Sequence, residues 1–436
     1  MPIVLDLIYL VLLAILSPVL LVKSWVTGKY REGSLEKFLG RAPVRIGDRP
    51  CLWFHAVSVG EVLLLKPLLA ELERRRPGWD VVVSTTTSTG LAVARKTFPD
   101  LITFYAPLDF SWATRRAVAR IRPTILALVE LELWPNLVRS AKSAGARVAI
   151  INGRLSRRSH QGYRRIRGPL SSTLLRIDSV AAQNDEYAER FRDLGIPHDR
   201  VRVTGSVKYD GLESDRTNPK TLALKKALGL SSSEFVFVAG STMEGEEAAA
   251  HAAYLEARKT HPGLRMVVVP RHQERFEKVA AWLEGQGETV VRRSRVSLEN
   301  PANSGEWKLS GRPPVVLVDT LGELSAVWGL ADVAFVGGSL FAGRGGQNMM
   351  EPAAYGASVI FGPHTSNFRE TVAQLLDRDA ARRVVDADEL TRALIEDLDD
   401  PDNAHRRGEA ARRHVLAQNG ASLRTLAEID RLVEAA

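Results

Sequence analysis

A chain of 436 residues, 45% hydrophobic and 25% charged, is too long for one ordinary core and too evenly mixed for disorder; two globular domains of about 150 to 200 residues are expected. Its one cysteine, Cys51, excludes an internal disulfide and any multi-cysteine metal site, and suits a reducing compartment. A formal net charge of +8 favours an anionic partner, whether nucleic acid, lipid or phosphorylated ligand, without choosing among them.

The chain opens on IVLDLIYLVLLAILSPVLLV, residues 3–22, a nearly unbroken apolar run of spanning length that Asp6 and Pro18 interrupt. No Lys or Arg precedes it, whereas Lys23, Lys29, Arg31, Lys37, Arg41, Arg45 and Arg49 follow. The positive-inside rule therefore predicts a membrane-anchor helix over 1–25 with the bulk of the protein in the cytoplasm, a buried or interfacial helix being the alternative. A cleaved signal peptide is disfavoured, because there is no basic leading region and no A-x-A site.

Seven short apolar runs follow, CLWFHAV, DVVVSTT, LITFYA, TILALVE, RVAIIN, SVAAQN and VRVTG, alternating with amphipathic helical patterns. Runs apolar on both faces and separated by helices predict a parallel sheet in a doubly wound domain over 26–210. HAVSVGE, residues 55–61, follows the first of these, and Ser58 with Glu61 has the S-x-x-E spacing of a capping box. Glu61 thus has two readings, helix cap or proton acceptor. Glu130 and Glu132, in VELELWPN, lie one residue apart at another strand end, so their side chains are expected to diverge. Arg154, Arg157 and Arg158 in NGRLSRRS suit a phosphorylated acceptor or a plain basic surface loop, and Lys208 stands in GSVKYD.

The pattern breaks at 211–234, a polar stretch read as an interdomain linker. A second series, FVFVAG, LRMVVVP, ETVVRR, PVVLVD, DVAFVGG and ASVIFG, predicts another doubly wound domain over 235–415, with a terminal helix over 416–436. In such sheets ligands sit outside the carboxyl ends of the strands, and with two domains the expected site is the cleft between them. Three strand-end segments of the second series carry candidates. GSTMEGEE either cradles an anion on backbone amides, before a helix starting near Glu244, or is an ordinary turn capped by Thr242. Pro270-Arg271 presents a guanidinium suited to a phosphate or a base, or merely a solvated one. The glycine-dense run GGSLFAGRGGQNMMEP implies close backbone approach or positive φ, and Glu351 within it could accept from a ribose diol or serve the helix dipole. There is no G-x-x-x-x-G-K-[ST] loop, no G-x-G-x-x-G after the first strand, no H-E-x-x-H, zinc-spaced His set or G-x-S-x-G elbow.

Taken in order, HAVSVGE, STTTSTG, YAPLD, VELELWPN, NGRLS, GSVKYD, GSTMEGEE, VPRHQERF, VDTLGEL, FVGGSL, GGQNMMEP and GPHTSNF make the chain resemble the 3-deoxy-D-manno-octulosonic acid (Kdo) transferases of Gram-negative bacteria, over nearly its whole length. The resemblance implies the GT-B fold, an α/β architecture of two Rossmann-like domains facing a central cleft with an N-terminal anchor helix. It implies an inverting, metal-independent glycosyltransferase that moves Kdo from CMP-Kdo to the tetraacylated lipid A precursor at the inner face of the inner membrane. No cofactor beyond the donor is implied, and the partners are the lipid A precursor and anionic membrane lipids rather than nucleic acid. Carried over residue by residue, it makes Glu61 the general base and Glu130 and Lys208 helpers of the transition state. It places CMP on Pro270 and Arg271, on Leu321, Gly322 and Glu323, and on Gly345, Gly346, Gln347, Asn348 and Glu351. Two positions depart from the pattern: Gln347 where the family commonly has His, and Ser206 where it commonly has Asn. A carboxylate at a helix N-terminus is expected to be kept ionised by the dipole, ready to accept a proton. The rival readings are a sugar-nucleotide epimerase or other GT-B enzyme, a noncatalytic nucleotide-binding protein and a nucleic-acid binder, the last disfavoured by dispersed basic residues and the lack of an aromatic-basic platform.

Overall fold

In the computed structural model, residues 2–27, 32–231, 233–298 and 313–434 are described; Lys29 and Arg31 of the basic series lie outside them. The chain divides into two compact units, Met1–Asp210 together with Gln418–Ala436, and Gly211–Ala417.

The first unit is built on seven strands: β1 (Cys51–His55), β2 (Asp80–Thr85), β3 (Ile102–Tyr105), β4 (Ile125–Val129), β5 (Arg147–Gly153), β6 (Ser179–Ala182) and β7 (Val201–Val203). They form one parallel sheet in the order β3-β2-β1-β4-β5-β6-β7. Every residue of β1 and β4 is buried, as a sheet covered on both faces requires. Trp53, Leu126, Leu128 and Val148 pack toward one helical layer, and Leu52, Phe54, Ile125 and Ala127 toward the other. The order reverses at β1 and β4, which pair directly, so the loops after them leave neighbouring strand ends. That is where an open α/β sheet places its ligand.

The second unit repeats the plan with β8 (Val236–Thr242), β9 (Arg265–Pro270), β10 (Val290–Arg292), β11 (Val315–Leu317), β12 (Val333–Val336), β13 (Ser358–Phe361) and β14 (Arg382–Arg383). The sheet is again parallel, in the order β10-β11-β9-β8-β12-β13-β14, reversing at β8 and β12. All thirteen expected strands form. The fourteenth, β14, is two arginines long and gave no apolar signal; as an edge strand it carries charge, with Arg382 paired to Glu396 and Asp397.

Two expectations about the chain's organisation change. The segment 211–234, read as a linker, belongs to the second unit and folds a helix, Pro219–Ala227, whose Leu224 and Ala227 are buried. Asn218 caps that helix, and Thr221 Oγ1 donates to the Ala326 carbonyl at 3.0 Å, fastening it to the unit. The terminal helix is not an appendage: Ala421–Glu434 returns to the first unit, burying Leu426 and Ile429 in its core. Its N-terminus is capped by Asp210, which accepts from Gly420 N at 2.7 Å and from Ser422 N.

The expected anchor over the N-terminal run is not shown. Pro2–Thr27 is a continuous helix, but side chains of the expected span 3–22 are described only through residue 19, and among the described residues no helix is long and apolar enough to cross a membrane. Asp6, which interrupts the apolar run, packs inward. It is buried against the domain, accepting from Ser111 N at 2.9 Å and from Asn136 Nδ2 at 3.1 Å, while Tyr9 donates to Asp109 at 3.2 Å. The remaining face exposes Ile3, Val4, Leu7, Val11, Ile15 and Val19.

Candidate active site

β1 ends at His55, and the chain turns through Ala56-Val57 into the helix Val59–Arg75. Ser58 Oγ accepts from Glu61 N at 3.3 Å; in return Glu61 Oε2 accepts from Val57 N at 2.9 Å and Oε1 from Ser58 Oγ at 2.8 Å. The capping box is therefore real, and the carboxylate is held rather than free. It is also buried, with 8% of its surface exposed. Burial pushes its carboxyl up to about 7, against the lowering effect of the bonds from Ser58 and Val57, and Glu132 and Glu130 raise it further. The expectation that the helix N-terminus keeps it fully ionised is thus corrected, because desolvation outweighs dipole and cap. A carboxyl that titrates near neutrality is a better proton acceptor than one of ordinary acidity.

Glu130 follows β4 in a left-handed conformation, φ 59, and pairs with Lys208 Nζ at 3.3 Å. Lys208 rides a short 3-10 turn, Val207–Tyr209, that other residues fix. Asn152, itself at φ 50 on β5, accepts from Val207 N at 3.2 Å, and Ser206 Oγ accepts from Lys208 N at 3.4 Å. Ser206, one of the two departures from the family pattern, is therefore a competent cap for the turn that carries the lysine. Glu132 accepts from Trp134 Nε1 at 2.9 Å, and burial raises its carboxyl. Trp134 stands edge-on to His55, ring centroids 5.3 Å apart. His55 is fully buried, its Nδ1 3.0 Å from Ser84 Oγ, and burial pushes it down to about 4, so the imidazole is neutral. Sequence reasoning missed His55 and Trp134 as supports. The first unit thus gathers Glu61, Glu130, Glu132 and Lys208, whereas Arg157 and Arg158 lie on the exposed helix Arg157–Arg165.

In the second unit the expected donor residues sit at the ends of β9, β11 and β12. Pro270 closes β9 and Arg271 follows it, exposed. Leu321 is exposed, Gly322 is at φ 85, and Glu323 is occupied by Arg293 at 2.8 Å and by Thr320 Oγ1. After β12, Gly345 and Gly346 take φ 78 and 82, and Gly346 N and Gln347 N return to the carbonyls of Gly338 and Gly337 at 2.7 and 3.1 Å. Only glycine holds that conformation without strain. Asn348 Nδ2 donates to Glu351 Oε1 at 2.9 Å. Burial raises the Glu351 carboxyl while Arg271 opposes the shift, so these two residues sense each other.

GSTMEGEE resolves differently from either of its readings. β8 continues through Thr242, the helix begins at Glu246 rather than near Glu244, and Thr242 Oγ1 donates to Glu247 instead of capping. Glu246, almost fully buried, accepts from the backbone N–H groups of Met243, Gly338, Ser339 and Leu340 at 2.8, 2.6, 2.9 and 2.9 Å. It is the carboxylate that shapes the glycine-rich loop, a role the sequence could not show because the loop partners Gly338, Ser339 and Leu340 lie 92 to 94 positions away. Glu247 is taken by Arg275 in a two-pronged pair at 2.6 and 2.9 Å.

Residues 33–211 match the family model described as 3-Deoxy-D-manno-octulosonic-acid transferase (kdotransferase). The chain is 31% identical over 424 residues to the 3-deoxy-D-manno-octulosonic acid transferase of Haemophilus influenzae, covering 96% of each protein. It is 34% identical over 437 residues to that of Bordetella pertussis, covering 96% of this chain and 97% of the relative. Among solved structures it resembles a UDP-GlcNAc 2-epimerase from Neisseria meningitidis, TM-score 0.57 at 13% identity, over 88% of this chain and all of the other. A glycosyltransferase from Rickettsia africae gives TM-score 0.54 at 13% identity, over 89% of this chain and 99% of the other. At such identities these two likenesses speak for the GT-B fold alone. The full-length relatives speak for the chemistry: the chain belongs to the 3-deoxy-D-manno-octulosonic acid transferases, a family of glycosyltransferases.

Proposed function

We propose that the protein transfers Kdo from CMP-Kdo to the lipid A precursor with inversion at the anomeric carbon, Glu61 acting as general base. The observation that carries this reading is the Glu61 carboxyl, fixed by Ser58 and Val57, buried, and titrating at about 7 beside an acid–base pair. In the step so drawn, Glu61 takes the proton of the acceptor hydroxyl as its oxygen bonds to the anomeric carbon. The bond from that carbon to the phosphate oxygen breaks, and CMP leaves with the electron pair. Lys208, held by Glu130, supplies positive charge near the reacting groups, and His55 and Trp134 keep the carboxylates packed and dry.

In this reading Glu351, in the second unit, accepts from the ribose diol, and Arg271, whose charge acts on Glu351, offsets charge developing on the leaving phosphate. The turned-in amides around Gly345, Gly346, Gln347 and Asn348 allow close backbone approach to the nucleotide, with Pro270, Leu321, Gly322 and Glu323 flanking it. Arg293 already engages Glu323, which in this reading leaves that residue shaping the loop rather than taking a full bond from CMP.

The acceptor is an anionic amphiphile, and the exposed apolar face of the N-terminal helix suits a membrane surface. With Asp6 and Tyr9 bound to the domain, the helix is drawn as lying against the cytoplasmic leaflet of the inner membrane. Incubating the purified protein with CMP-Kdo and lipid A precursor and analysing the product by mass spectrometry tests the reading. A Kdo-bearing lipid with inverted anomeric configuration is expected; folded, CMP-binding protein that yields none refutes it.

A further inference from the structure

We propose that a polar cavity of about 500 Å³ in the second unit, lined by Arg344, His364 and Arg369, is a subsite for an anionic group of a substrate, a carboxylate or a phosphate. It rests on the nucleotide-sugar reading above and extends it to charged side chains beyond the proposed nucleotide contacts, of which Gly345 also lines the cavity. The cavity is built from the segments that follow β12 and β13, whose last residues, Val336 and Phe361, are paired in register. It therefore stands at the carboxyl ends of the sheet, where α/β domains bind ligands.

The two segments are locked together. His364 N donates to the Ser339 carbonyl and Asn367 N to the Gly345 carbonyl, both at 2.9 Å, and Asn367 Nδ2 donates to the Arg344 carbonyl at 2.9 Å. Gly345 takes φ 78, and a Cβ there would also come within 2.6 Å of Ser366 Oγ, so the close approach favours glycine. Arg344 is thereby held opposite residues 364–369 by the backbone.

The grouping of charge is what marks this cavity. Several buried or half-buried arginines of the unit are matched, Arg275 with Glu247, Arg292 with Asp319, Arg293 with Glu323 and Arg407 with Asp397, while exposed ones such as Arg271 and Arg383 stand singly. Among the described residues Arg344, His364 and Arg369 make no ion pair, although they share one polar hollow. The helix Arg369–Leu376 starts at its edge with no side chain capping its N-terminus, adding partial positive charge. Two guanidinium groups and an imidazole lining one hollow that no carboxylate lines suit a planar or tetrahedral oxyanion, which the forked donors of arginine grip best.

Two substrates could supply that oxyanion: the donor through the carboxylate of its sugar acid, or the acceptor through a phosphate. The test is the double variant Arg344→Gln/Arg369→Gln, both side chains being exposed, with melting temperature and CMP affinity as controls on folding and on the nucleotide site. KM is then measured with CMP-Kdo varied and with lipid A precursor varied. One KM rises about tenfold or more, as loss of charge-assisted hydrogen bonds requires, while CMP affinity stays within a factor of about two. A rise for the donor assigns the carboxylate and a rise for the acceptor the phosphate. Unchanged KM for both overturns the subsite and leaves the transferase reading intact. If the wild-type protein transfers no Kdo, titration with inorganic phosphate decides: saturable binding that the variant loses upholds the subsite, and binding equal in both proteins, or absent from both, overturns it.

Discussion

Glu61 carries the most exposed claim, because its two roles predict opposite signs in two assays. Its carboxyl titrates at about 7 in the folded protein against 4.5 for an ordinary glutamate. Between those values the native state binds more protons than the unfolded chain, so stability falls as pH rises through this window, by roughly 3 kcal/mol in total. The variant Glu61→Gln removes that titration. Relative to wild type, its melting temperature should climb by roughly 6 to 12 °C between pH 5 and pH 8, from a starting point lowered by the imperfect cap. Activity should move the other way. Loss of a general base lowers kcat by about 10² to 10⁴, and wild-type kcat/KM should fall about tenfold from its plateau by pH 6. Thermal melts and initial rates across pH 5 to 8 read both. A variant within tenfold of wild-type activity, or a wild-type profile with no inflection between pH 6 and 8, refutes Glu61 as base and returns it to capping alone.

The other predictions follow from the same geometry. Ser58→Ala deletes one cap and one bond that lowers the Glu61 carboxyl; it should cost about 1 kcal/mol in urea unfolding and shift the kinetic inflection upward from 7. An unshifted inflection would mean the titrating group is not Glu61. Lys208→Met leaves Glu130 without its partner and should lower kcat tenfold or more, on the order of 1.4 kcal/mol, with little change in CMP affinity by calorimetry. Glu246→Gln opposes an amide to backbone donors it cannot serve; a loss of about 2 kcal/mol in stability and a marked loss of CMP affinity are expected, since the glycine-rich loop depends on it. Normal CMP binding in that variant would detach the loop from the donor site.

What the sequence made legible was local. The apolar runs from CLWFH to SVIF announced their strands, because a strand buried on both faces has no polar positions to obscure it. Ser58 and Glu61 announced their cap by spacing alone. The acidity of Glu61 is not legible locally, because desolvation depends on what packs around the carboxyl, and the nearby carboxylates Glu130 and Glu132 follow β4, about seventy positions on. Residues 211–234 read as a linker because the helix Pro219–Ala227 buries only Thr221, Leu224 and Ala227, too few to show a stripe. The return of Ala421–Glu434 to the first unit and the docking of Asp6 on Ser111 and Asn136 are long-range pairings, invisible to any window along the chain. The bonds that Glu246 accepts from Gly338, Ser339 and Leu340 are long-range in the same way.

The central claim is transfer itself. With radiolabelled CMP-Kdo and purified lipid A precursor, the wild-type protein should release CMP and label the lipid in equal amounts, and Glu61→Gln should do neither while still binding CMP. Release of CMP without label in the lipid, or no reaction from folded wild-type protein that binds CMP, would contradict the account.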